Sequence, residues 1–346
     1  MTLHSEISEQ PDIAARLLEN QWHPIRVAAE HIRESDIRYV YIAARGTSDH
    51  AAIYAKYVFG VYNRLPVALA APSLFTLFDS PPMLKNALVI GISQSGESPD
   101  VVSVVAEGKR QGALTIAITN APKSPLAEAA GRVIDVQAGE EKAVAATKTY
   151  TAELMAIAML SAAVAGDADR VKELVKLPEL MRQSLETEDA VKAAAEKHQG
   201  MEECAVLGRG FNYATAFEWS LKLKELATVV AEPYSPADFR HGPIKLAQQP
   251  DFPILAIAPD DPSFDDMLGL IKKLSAEMRT KVLMISDRKD ALDAADDPIK
   301  LPDGIARWLT PLVCIVPAQL FCLHLTQAKG LDTENPRGLT KVTRTL

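Results

Sequence analysis

The chain has 346 residues, enough for two domains of ordinary size. Hydrophobic residues make up 48% and charged residues 24%, and the formal net charge of −8 disfavours nucleic acid or anionic membrane as partners. Cys204, Cys314 and Cys322 show no paired spacing, which argues against a disulfide framework or a zinc site. No His/Cys/Asp/Glu set has ligand spacing, so no metal is expected, and no cofactor is expected either. The opening MTLHSEISEQ carries no basic region followed by an apolar run. No apolar run reads as membrane-spanning: residues 145–165 come nearest, and Lys148 and Glu153 interrupt them. A cytoplasmic protein with reduced thiols is expected.

Residues 4–34 read as helical, with Pro11 opening the main segment and Ile13, Leu17, Leu18, Ile25 and Val27 in apolar spacing. Residues 38–43 read as a strand, Arg45-Gly46-Thr47-Ser48 as a turn, and 49–59 as a helix. A short strand over 67–71 follows. Residues 87–93 are apolar and β-branched, the pattern of a strand buried on both faces. Ser93, Gln94, Ser95, Gly96, Glu97 and Ser98 then form a polar turn, and Pro99 suits the first turn of the next helix, 99–111. Strands over 114–119 and 133–136 and an Ala-rich helix over 145–165 complete the first half. Residues 167–200 read as a charged helical connector broken at Pro178.

The pattern then recurs. AARGTSDHA at 43–51 matches LGRGFNYAT at 207–215, LVIGIS at 88–93 matches ILAIAP at 254–259, and TIAIT at 115–119 matches VLMIS at 282–286. Each offset is close to 165 residues, so the chain is an internal duplication of an αβα domain with parallel sheets. Helices are expected over 213–229 and 311–329. The segments are therefore 1–34, a helical lead; 35–166, the first domain; 167–200, the connector; 201–330, the second domain; and 331–346, a tail.

A strand, a tight polar turn and a helix N-terminus make an anion pocket, because free backbone N–H groups and the helix dipole favour negative charge. The turn at 93–98 holds three serines and no lysine, and lacks the P-loop pattern, so a sugar phosphate suits it better than a nucleoside triphosphate. A plain Ser-rich helix cap is the alternative. Thr47 and Ser48 could join the pocket or merely cap their helix. In the second half Pro259, Asp260 and Asp261 replace Ser93, Gln94 and Ser95, and would repel phosphate. One phosphate site per chain is expected.

Other stretches could carry chemistry. Thr147 and Lys148 in EEKAVAATKTY face the pocket or, for the lysine, lie on the surface. Glu218, Lys222 and Glu225 share a helix face, as a solvated ion-pair stripe or as a general base beside a cation. His241, in the rigid turn-rich stretch 231–246, is a surface histidine or a proton shuttle.

Taken together, EISEQP, RGTS, SQSGES, AVAATKTYTAEL, LGRG, LKLKE, AEPYS with FRHGP, and NPRGLTK resemble, in order and over the whole chain, the isomerase half of glucosamine-6-phosphate synthase and its sugar isomerase (SIS) domain relatives. The resemblance implies two flavodoxin-like three-layer αβα sandwiches. It implies a substrate and phosphate site of Thr47, Ser48, Ser93, Gln94, Ser95, Ser98, Val144 and Lys222. It also implies Glu225 as the acid/base between C1 and C2, His241 in ring opening, lent by a neighbouring subunit of a homodimer, and Lys341 as a Schiff-base amine under a tail that closes over the site. Arg45 stands where the synthase has cysteine, Ser98 where it has threonine and Thr340 where it has alanine. The match begins at once, so glutamine-dependent synthesis by this chain alone is not expected. An aldose–ketose phosphosugar isomerase is, foremost a glucosamine-6-phosphate deaminase. A plain hexose-phosphate isomerase, a deglycase of fructosamine phosphates and a non-catalytic phosphosugar sensor are the alternatives.

Overall fold

A computed structural model of the chain describes residues 2–341. In chain order its elements begin α1 (Leu3–Ser8), α2 (Gln10–Glu34), β1 (Tyr39–Ala43), α3 (Thr47–Tyr62), β2 (Val67–Leu69), α4 (Ser73–Thr76), β3 (Ala87–Ile92) and α5 (Pro99–Arg110). Then come β4 (Leu114–Thr119), α6 (Pro125–Ala129), β5 (Arg132–Asp135), α7 (Lys148–Ala165), α8 (Ala168–Leu185) and α9 (Glu188–Lys197). The rest are β6 (Glu203–Leu207), α10 (Tyr213–Ala227), β7 (Val230–Tyr234), α11 (Pro236–Arg240), β8 (Pro253–Ile257), α12 (Phe264–Met278), β9 (Lys281–Ser286), α13 (Lys289–Leu292), β10 (Asp297–Lys300) and α14 (Thr310–Ala328).

Two compact units result. The first gathers residues 9–142 and 146–178 together with Thr340 and Lys341; the second gathers residues 2–8, 143–145 and 179–339.

In the first unit five parallel strands lie in the order β2-β1-β3-β4-β5. This is the flavodoxin-like order, in which the chain leaves β1 to one side and β3 continues to the other. Every residue of β3, ALVIGI, is buried, as a central parallel strand covered on both faces must be. On one face Val101, Val104 and Val105 of α5 pack with Val89, Ala117 and Leu126. Each valine or leucine among them contributes about 1.5–3 kcal/mol by leaving water. Helix α7 is buried along almost its whole length and packs on α2 and α3. Carboxyl ends of β1 and β3 are neighbours, with Ala43 beside Gly91. The turns that follow these two strands flank the switch point, where open sheets of this kind bind ligands.

The second unit repeats the order as β10-β9-β8-β6-β7, again all parallel. Its helices α9, α10 and α14 pack together.

The turn-rich stretch 231–246 opens within the edge strand β7, with Val206 paired to Pro233, while three expectations change elsewhere. An edge position tolerates a residue that cannot donate to the ladder. Pro178 does not break the connector, because it lies inside α8, although the two units divide there. Lys148 is not a surface lysine but is 1% exposed. Finally, residues 145–165 are not the most membrane-like run. The helix over Arg307–Ala328 is long and apolar enough to cross a membrane, with mean hydropathy 1.7, yet 94% of that window is buried inside the protein. It is apolar all round because it is a core helix.

Candidate functional site

The β3–α5 turn is set by Gly96. Its φ is +63°, and a Cβ there would stand 2.0 Å from Ser124 Oγ, so no side chain fits. Ser93 Oγ accepts from Gly96 N at 3.1 Å, and Ser95 Oγ accepts from Glu97 N at 3.3 Å. Ser98 is the N-cap of α5 and makes no side-chain capping bond, with Pro99 behind it. Ser98 and Ser95 are half-buried, while Ser93 is 8% exposed. The result is a hydroxyl-lined curl at a helix N-terminus, suited to an anion.

The turn after β1 lies beside it in the sheet. Gly46 caps α3 at φ +56°, and Thr47 and Ser48 open that helix. Ser48 is buried, and its hydroxyl donates to Glu153 Oε1 at 2.8 Å. Arg45 donates from Nε to Asp100 Oδ2 at 2.6 Å; that aspartate is wholly buried in the first turn of α5. The pair ties the two turns together. Burial pushes the Asp49 carboxyl up, against the opposing pull of His50 and Arg45.

Gln94 leads away from the turn. Its carbonyl accepts from Asn120 N and Thr119 Oγ1, each at 3.2 Å, and its Nε2 donates to Glu141 Oε2 at 2.9 Å. Glu141 has a wholly buried side chain. Its Oε1 accepts from Thr147 N at 2.9 Å and Thr149 N at 3.1 Å. Its Oε2 also accepts from Thr149 Oγ1 at 3.1 Å and from Lys341 Nζ at 2.9 Å. Gln94 and Lys341 thus meet on one carboxylate oxygen. Lys148 donates from Nζ to Glu9 Oε2 at 2.7 Å and is enclosed rather than aimed at open solvent. The sequence singled out Thr147 and Lys148 in this stretch and passed over Glu141. The only signal was the doubled acid of EEK ahead of a helix.

In the second unit Lys222 is 1% exposed between two carboxylates of its own helix. Its Nζ lies 2.5 Å from Glu225 Oε2 and 3.4 Å from Glu218 Oε1. This is a buried cluster rather than a solvated stripe. Glu218 is fully buried and Glu225 is 24% exposed, so Glu225 is the carboxylate a ligand can reach. His241 ends α11 and is exposed, its backbone N donating to Asp238 O at 3.0 Å. Val144 is half-buried, next to Ala143, whose N–H faces the Glu6 carboxylate at 3.3 Å. The turn after β8 carries Asp260, ion-paired to Arg288 at 2.8 Å, and Asp261, which accepts from Ser263 N and Oγ. It offers carboxylates where the first unit offers hydroxyls.

Two parallel sheets of flavodoxin-like order, one with a hydroxyl-lined turn at its switch point, define a tandem α/β protein. The SIS domain family model matches residues 35–163. A glutamine–fructose-6-phosphate aminotransferase of Caldanaerobacter subterraneus is 34% identical over 88% of this chain and 51% of its own length. The aminotransferase of Gloeobacter violaceus is 33% identical over 97% of this chain and 57% of its own. The chain therefore spans little more than half the length of these relatives. A Silicibacter pomeroyi crystal structure, provisionally named a phosphosugar isomerase, superposes with TM-score 0.84 at 30% identity, over 96% of this chain and all of the other. The glucosamine-6-phosphate deaminase of Thermotoga maritima shares the fold over the full length of both chains, at TM-score 0.79 and 19% identity. The chain belongs to the SIS domain family.

Proposed function

We propose that the protein is an enzyme that isomerises a hexose 6-phosphate, and in particular a glucosamine-6-phosphate deaminase. In this reading its halves are two three-layer αβα sandwiches. Ser93, Gln94, Ser95 and Ser98, with Thr47 and Ser48, grip the phosphate and orient the carbons to be changed. Val144 lies along the sugar. His241 passes a proton as the ring opens. Glu225 takes the proton from C2 and returns it at C1, a short transfer that a carboxylate suits. Lys222 holds that carboxylate in place. The resulting imine at C2 exchanges its nitrogen for the Lys341 amine, releasing ammonia, and water then frees fructose 6-phosphate. The His241 role carries with it a homodimer.

The supporting observation is the shared oxygen of Glu141, which brings the Lys341 amine to the same carboxylate as Gln94 of the phosphate turn. The test is incubation of the purified protein with glucosamine 6-phosphate, reading ammonia and ketose. Equal amounts of the two are expected. No ammonia but interconversion of glucose and fructose 6-phosphates marks a plain isomerase. Absence of both across a panel of hexose and hexosamine 6-phosphates overturns the enzyme reading and leaves a sensor. The 33–34% identity to aminotransferases favours one further arm, fructose 6-phosphate plus ammonium, in which glucosamine 6-phosphate should form.

A further inference from the structure

We infer that Glu141 is a positioning residue that fixes the tail lysine, Lys341, in register with the phosphate turn. The inference deepens the proposed function and rests on it for the identity of the ligand and for the reacting role of the Lys341 amine.

The carboxylate divides its work between its two oxygens. Oε1 takes two backbone N–H groups, those of Thr147 and Thr149, at the entry to α7. Oε2 takes three side-chain donors: the Gln94 amide, the Thr149 hydroxyl and the Lys341 ammonium. A fully buried carboxylate is costly to keep charged unless it is both hydrogen-bonded and paired. Lys341 supplies the charge, and its side chain is 26% exposed, so it lies at the rim of the cluster rather than inside it. Removing the lysine would leave a buried anion with neutral donors only. That cost favours keeping Lys341 at this unit.

Gln94 links this tether to the ligand. If a phosphate in the turn draws the Gln94 amide away, Oε2 loses one donor and depends more on Lys341. An occupied turn then holds the tail more tightly, and by reciprocity a docked tail frees Gln94 for the phosphate. The amine is delivered to the sugar when the sugar is there.

Hydrogen exchange of the peptide containing Thr340 and Lys341, in the full chain, reads the tether. Glu141→Gln is the informative variant. Its amide oxygen can still take the two backbone N–H groups, while its NH2 opposes Gln94 and Lys341. Lys341→Met removes the tethered amine and keeps the Glu141 carboxylate, and thermal unfolding of both variants controls for folding. In ligand-free protein Glu141→Gln should speed exchange of the tail peptide by at least about 5-fold, and leave the α7 peptide unchanged. Saturating fructose 6-phosphate should slow tail exchange in the unaltered protein and not in Glu141→Gln. Calorimetry should find fructose 6-phosphate bound about 5-fold more weakly by Lys341→Met. Borohydride trapping of fructose 6-phosphate on Lys341 should fall in Glu141→Gln, a readout that a merely structural role would not move. Equal tail exchange in Glu141→Gln and the unaltered protein overturns the inference. If fructose 6-phosphate does not bind at all, the phosphosugar reading falls, and ligand-free exchange alone decides the tether.

Discussion

The two halves keep one device and differ in another. Arg45 follows β1 and pairs with Asp100 in the first turn of α5; Arg209 follows β6 and pairs with Asp266 in the first turn of α12. Each arginine clasps the loop after the first strand of its sheet to the helix after the third. A feature present in both halves belongs to the fold, so Arg45 is first a clasp, whatever else it touches. The turns beside the clasps have diverged. Ser93 to Ser98 present hydroxyls and a left-handed glycine, whereas Pro259 to Ser263 present two carboxylates, of which Asp260 is neutralised by Arg288. The frame occurs twice and the hydroxyl-lined turn once. The second half has instead the buried Glu218–Lys222–Glu225 cluster.

That division can be broken at several points. The largest effect is expected at the second half's carboxylate. Glu225→Gln should lower kcat by about 10²–10⁴ and leave the Kd for fructose 6-phosphate within a few-fold, as kinetics and calorimetry together would show. Unchanged turnover would remove Glu225 from the chemistry. Next, Ser95→Asp writes the second half's chemistry into the first. Like-charge repulsion should weaken phosphosugar binding by at least about 100-fold in a titration at low salt. Gly96→Ala drives a methyl into Ser124 and a positive φ, and should cost about 1–3 kcal/mol in denaturant unfolding.

Asp49 gives the smallest effect. It stands where the second half has Tyr213, and burial raises its pKa in the folded state. A carboxyl with a raised folded pKa costs stability once pH exceeds that value, and costs nothing below its unfolded value. Asp49→Asn should therefore raise Tm at pH 7, with the gain shrinking to nothing towards pH 3. A constant gain across that range would show that charge is not the cause.

Much of this frame was legible. Apolar β-branched runs such as 88–93 and 282–286 announced buried parallel strands, and their repetition announced the duplication. The edge strands of the second sheet were harder, whereas those of the first were read at 67–71 and 133–136. Residues 230–234, VAEPY, carry a proline and an acid that only an edge accepts, and 297–300, DPIK, is short and half-polar. In the β3–α5 turn the glycine was readable because the positive φ at Gly96 demands it. Glu141 was not, because its role depends on partners 47 and 200 residues away, which local spacing cannot show. Burial of Lys148 was hidden for the same reason: its partner is Glu9.

The course of the chain has a practical corollary. Residues 2–8 and 143–145 belong with the second unit, and Thr340 and Lys341 with the first. Neither unit is one continuous stretch of polypeptide. A fragment cut between residues 167 and 200 would lack pieces of its own body, and would carry pieces of the other. Halves expressed separately should be poorly folded, and mixing them should restore structure that neither holds alone.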